Sequence, residues 1–126
     1  MSGKVLLFGF DSLLHILALE AAVKPFGVEL VPVGRTDYGK SLGALAGQDG
    51  AEGPGQPYAG GALGGRMLVL CGLEDCLEDL LAALGKAGAG PECLKAILTP
   101  SNRSWNALRL YEELRREHET MGRRGG

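Results

Sequence analysis

The sequence predicts an α/β domain, an α+β sandwich on a four-stranded sheet, and three observations predict it. Four short apolar runs, at residues 4–10, 28–33, 67–71 and 94–99, have the length and composition of strands. The first and third each end at a glycine, Gly9 or Gly72, and lead into a leucine- and alanine-rich stretch of helical length. A glycine turn then returns the chain to the next apolar run, so the same order is written twice and the unit is a β-α-β used in tandem.

Each element has its own reason. Residues 4–10 (KVLLFGF) are apolar on both strand faces. Asp11 or Ser12 suits the N-cap of a first helix, whose apolar set Leu13, Leu14, Leu17, Ala18 and Ala21 is expected to face the sheet. Lys24-Pro25-Phe26-Gly27 ends it, because proline disfavours helical angles in the residue before it and glycine suits the exit turn. Pro32 has no N–H for a ladder, so the second strand, 28–33, is expected to lie at an edge or to end there. Residues 35–38 read as a polar turn, and 39–46 hold at most a short helix, opposed by Gly39 and Gly43. Residues 47–65, rich in glycine with Pro54 and Pro57, carry little apolar surface to offset ordering entropy and are expected to be a mobile linker.

The second unit, about 66–99, repeats the plan. After the strand 67–71, Gly72 breaks the run and Glu74 or Asp75 can cap a helix, their charge favoured by its positive end. Leu77, Leu80, Leu81 and Leu84 make one face of that helix, with Glu78, Asp79 and Lys86 opposite. Gly85, Gly88, Gly90 and Pro91 stop it. Past the fourth strand, Ser101 or Ser104 is expected to cap a last helix over about 104–121, with Trp105, Leu108, Tyr111, Leu114 and His118 along one side and residues 123–126 fraying.

Two strand orders fit a single domain of residues 1–126. In the favoured ferredoxin-like βαββαβ order, strands two and three pair antiparallel and the linker is an elaborated hairpin. The alternative is an all-parallel flavodoxin- or Rossmann-like sheet, which needs a crossover helix between the units. The weak helix at 39–46 favours the first. The continuously apolar strands favour the second, unless the last helix or a partner covers the open sheet face.

Composition sets bounds on function. With 13 basic and 15 acidic side chains the net charge is −2, which argues against a nucleic-acid partner. No run reaches the ~20 apolar residues of a membrane span, and residues 13–23 are interrupted by His15 and Glu20. No secretion signal is recognisable at the N-terminus, so the expected compartment is the cytoplasm. Cys71, Cys76 and Cys93 are odd in number and lie in apolar segments, as reduced thiols do.

The stretches LVLCGLEDCLEDLLAALGKAG, LKAILTPSNRSW and LYEELRREHETM resemble a small bacterial family catalogued only as a domain of unknown function. The most specific part is the Leu-Lys-Ala-x-Leu-Thr-Pro-x-Asn-x-x-Trp strand, turn and helix. The resemblance covers residues 66–121 and implies the fold, with no activity and no catalytic residues.

The main candidate site is the turn that carries Thr99, Ser101, Asn102, Arg103, Ser104 and Trp105, between a strand end and a helix start. Free N–H groups, hydroxyls, an amide and a guanidinium there suit a small anionic ligand, with Trp105 as an apolar wall. The competing reading is a capped helix with Trp105 in the core. Cys71 ends a strand before a helix, where a thiol is activated, but the nearby acids Glu74 and Asp75 oppose this and an inert buried Cys71 is expected. Asp11, Asp37 and Glu74 sit at turns after strands, where acids serve as general bases or magnesium ligands or, more often, cap helices and turns. The cysteine spacing lacks a fourth ligand for zinc, and His15 and His118 have no partner near in sequence. Gly60, Gly61, Gly64 and Gly65 precede a strand, the wrong order for a phosphate loop. No cofactor is expected. The functional expectation is therefore a non-catalytic ligand-binding or regulatory module, for which a homodimer is one expected form by analogy with ferredoxin-like regulatory domains. The alternatives are a protein-interaction or homodimerisation module and a small enzyme using Cys71 or Asp11.

Overall fold

The computed structural model describes residues 3–10, 12–47, 60, 63, 65–73, 76–90 and 93–125, with side chains of the last helix through residue 117. Among the described residues four strands form one sheet: β1 (Lys4–Phe8), β2 (Glu29–Val33), β3 (Met67–Cys71) and β4 (Leu94–Ile97). Among the same residues four α-helices accompany them: α1 (Leu13–Val23), α2 (Leu42–Leu45), α3 (Leu77–Lys86) and α4 (Ala107–Gly125). Most of the expected mobile linker at 47–65 lies outside the described residues.

The sheet order is β2-β1-β3-β4. β1 runs parallel to β2 and β3 parallel to β4, while the two inner strands β1 and β3 pair antiparallel. This corrects the favoured ferredoxin-like order, which would place β3 between β1 and β2; it is not the all-parallel alternative either. Each crossover delivers its second strand directly beside its first, and the two closed units then meet edge to edge. Leu6 pairs with Val69 at the centre of that seam, with Lys4 opposite Cys71 and Phe8 opposite Met67. The two strands with continuous apolar runs take the interior. β2, with Pro32, is an edge as expected.

The alternation of β1 and β3 sends side chains into two cores. Val5, Leu7, Leu68 and Leu70 pack with Leu19, Val23, Leu80 and Leu84 from α1 and α3. Leu6, Phe8, Met67, Val69 and Cys71 pack with Tyr38, Leu42, Ala107 and Leu110. The last helix, with α2, covers the second sheet face, which is why strands buried on both sides need not belong to an all-parallel sheet.

Two helices depart from expectation. α4 starts at Ala107, not after Ser101 or Ser104, because the Asn106 Oδ1 accepts from the Arg109 N–H at 2.9 Å; it continues past residue 121 to Gly125. In α1 the inward residues are Leu19 and Val23, fully buried, with Ile16 against the same core. Leu13, Leu14 and Leu17, expected to face the sheet, are 70%, 79% and 49% exposed, and Ala18 and Ala21 are exposed too. Apolar residues surround this helix, so their spacing alone did not select the buried side.

The two units follow one plan, with Met67 63 positions after Lys4 and Leu94 65 positions after Glu29. Partners in the parallel pairs are 25 residues apart in the first unit, Lys4 with Glu29, and 27 in the second, Met67 with Leu94. The second unit is therefore two residues longer. At the offset of 65, buried Leu19 falls on buried Leu84, exposed Leu13, Leu14 and Ala21 fall on exposed Glu78, Asp79 and Lys86, and exposed Leu17 falls on exposed Ala82. Gly9 and Gly72, which end β1 and β3, both adopt left-handed angles, with φ of +80° and +69°. Among the described residues no helix is long and apolar enough to cross a membrane.

Candidate functional site

The turn after β4 brings Thr99, Ser101, Asn102, Arg103, Ser104 and Trp105 together, and hydrogen bonds within the chain use much of its polarity. The Asn102 Oδ1 accepts from the Thr99 N–H at 2.8 Å, and the Thr99 Oγ1 accepts from the Asn102 N–H at 3.2 Å. The Asn102 amide also donates to the Ile97 carbonyl at 3.0 Å, so this side chain closes the turn onto the strand it leaves. The carbonyls of Arg103 and Trp105 accept from the Gly43 and Leu42 N–H groups, each at 2.8 Å. They thereby fasten the turn to the start of α2, where the Ser41 Oγ accepts from Ala44. At the start of α4 the Ala107 N–H donates to the Tyr38 carbonyl and the Arg109 N–H to Asn106. Those amides are thus engaged within the fold. Ser101 and Ser104 are exposed, and the Arg109 guanidinium lies 4.2 Å over the half-buried Trp105 ring. Sequence reading missed Asn106, whose capping role is visible only once the helix start is fixed.

Cys71 lies at the end of β3 with its side chain in the second core. Burial pushes its thiol up to about 11, partly offset by the Lys4 ammonium on the neighbouring strand. A thiol so held is protonated at neutral pH and is a poor nucleophile. Asp11 and Glu74 lie outside the described residues. Asp37 makes an ion pair with Lys40 at 3.1 Å across one turn of chain. Among the described residues no group of three His, Cys, Asp or Glu side chains is placed to hold a metal ion.

His15 has a partner after all, 51 positions away: its Nδ1 accepts from the Arg66 guanidinium at 3.0 Å. Phe10 packs against both, its ring 5.2 Å from the imidazole and 5.6 Å from the guanidinium carbon. The buried Nε2 abuts Gly88, where a Cβ would come within 2.5 Å of it. This contact joins the start of α1 to the end of α3 and the start of β3. The side chain of His118 lies outside those described.

The outer face of α1 is the surface that sequence reading placed inside. Its exposed positions from Leu13 to Ala21 include Leu13, Leu14, Leu17, Ala18 and Ala21, with Glu20 as the charged member. The corresponding positions of α3 show what the fold itself needs there: Glu78, Asp79 and Lys86 serve equally well in water. Exposures of 70%, 79% and 49% leave about two whole leucines' worth of surface in water along one short helix.

No curated protein and no solved structure matches the chain. Residues 66–121 match the model of a family described as Domain of unknown function (DUF3783), and the matched segment spans β3, α3, β4 and most of α4. The chain is thus similar to a family of unknown function over its second unit and the helix that covers it.

Proposed function

We propose that the chain is a non-catalytic interaction module that docks a protein surface on the outer face of α1. The observation that carries this reading is the contrast between Leu13 and Leu14, exposed on α1, and the charges Glu78 and Asp79 at the matching positions of α3, with Leu17 exposed where α3 has Ala82. Burying leucines of this kind is worth about 1.5–3 kcal/mol each when complete, a driving force the isolated chain leaves unused. The protonated, buried Cys71 supports a role without thiol chemistry.

The test is a titration of the folded protein with an apolar fluorescent dye. Uptake that is lost in Leu14→Glu/Leu17→Glu, and kept in Glu78→Ala/Asp79→Ala, supports the reading. Uptake that survives Leu14→Glu/Leu17→Glu rules out α1 as the working surface.

A second reading, a small anionic ligand at the turn bearing Thr99, Ser101, Asn102, Arg103, Ser104 and Trp105, is favoured by the cation stacked on Trp105. Phosphorylated metabolites would then raise the melting temperature of the parent, and Arg103→Ala or Arg109→Ala would remove the shift. A shift unchanged in both variants would place the ligand elsewhere.

A further inference from the structure

We infer that the partner on α1 is a second copy of this chain, bound helix against helix about a twofold axis; the inference rests on the docking reading above. Its ground is the order of side chains along the exposed stripe. Leu14, Leu17, Ala18 and Ala21 follow the spacing of one helix face, at steps of three, one and three. Large residues occupy its N-terminal half and small ones its C-terminal half.

A twofold axis perpendicular to the helix, passing between Leu17 and Ala18, makes the two copies antiparallel. Leu14 then lies over Ala21 of the second copy, and Leu17 over its Ala18. Every contact places a leucine in the space an alanine leaves, as knobs enter holes between helices 8–10 Å apart. An isologous interface demands this self-complementarity, whereas an unrelated partner does not. A stripe of leucines alone would crowd at the axis, and one of alanines alone would bury little.

The charges leave this pairing open. Glu20 lies at the margin of the stripe, 60° from Leu17 around the helix by the usual ~100° per residue. The basic Lys24 follows α1 at its C-terminal end and is exposed. His15, Ile16, Leu19 and Val23 are turned to the other side, so the first core need not open.

Sedimentation equilibrium of the full chain tests this, across a concentration series from a few to several hundred micromolar. The expected result is a mass rising from 13.2 kDa toward twice that value in the parent, and a monomer at every concentration in Leu14→Glu/Leu17→Glu. Under mild oxidation, Ala18→Cys is expected to form an interchain disulfide and Ala82→Cys, at an exposed position of α3, is not. A parent monomeric throughout overturns the inference, as does a dimer that persists in the glutamate variant or cross-links equally through Ala82→Cys. A monomeric parent that still takes up the apolar dye through Leu14 and Leu17 overturns only the second copy and keeps the docking surface. A monomer with no such uptake overturns both.

Discussion

The two β-α-β units are built alike and finished differently. β1 and β3 each end at a left-handed glycine, and their helices α1 and α3 lie on the same side of the sheet over one core. Yet α1 is apolar on its outer face and α3 is charged there. Since the same architecture tolerates both, folding requires neither, and the leucines of α1 call for an explanation outside the fold. The units also differ in their strand ends: β1 closes on Phe8 and β3 on Cys71, both buried in the second core.

The largest effects should come where the units are equivalent. Leu19 and Leu84 are fully buried counterparts, so Leu19→Ala and Leu84→Ala are each expected to cost about 2–5 kcal/mol in urea unfolding. Equal costs within about 1 kcal/mol would support the pairing of the units; a negligible cost for Leu19→Ala would break it.

Cys71 marks the next difference. Its thiol is raised from the ordinary 9.0 to about 11, so the unfolded chain ionises first. The stability this gives is whole below pH 9 and is lost as pH rises to about 11, roughly 2–3 kcal/mol in all. Unfolding measured at pH 8, 9.5 and 11 should show that decline in the parent and a flatter profile in Cys71→Ala. Parallel profiles would mean the buried thiol does not titrate late.

The twin glycines sharpen the comparison further. Gly9→Ala forces a Cβ to within 2.8 Å of the Gly65 carbonyl at φ +80°, whereas a Cβ at Gly72 meets open space at φ +69°. Both should lose about 1–2 kcal/mol for the left-handed backbone, with Gly9→Ala the more costly. Thermal melts of the two variants decide the order.

The smallest expected effect is the most telling for function. Leu13→Glu/Leu14→Asp gives α1 the residues of α3 and should change stability by less than about 0.5 kcal/mol. A loss above 2 kcal/mol in chemical unfolding would mean that these leucines serve the fold, and the contrast between the helices would lose its meaning.

Local chemistry made most elements legible. Met67–Cys71 is the expected strand residue for residue, Pro32 marked an edge, and Leu80 and Leu84 are the buried line of α3. The turn after β4 was found as a turn, but its polar groups face one another and α2, a use that depends on Gly43 and Leu42 far back in the chain. The partner of His15 was likewise invisible, because Arg66 reaches it only when β3 lies beside β1.

By itself, then, the sequence determined the repeat of strand, helix and strand, since periodicity, glycine and proline act over a few residues. It also marked β1 and β3 as apolar on both faces, while their inner place and the helices that cover them came from the structure. Only the tertiary structure decided the order β2-β1-β3-β4 and the side of α1 that faces water. Strand order depends on which edges meet after each crossover closes. A helix apolar all round carries no preferred face until the sheet and its neighbouring helix have chosen one.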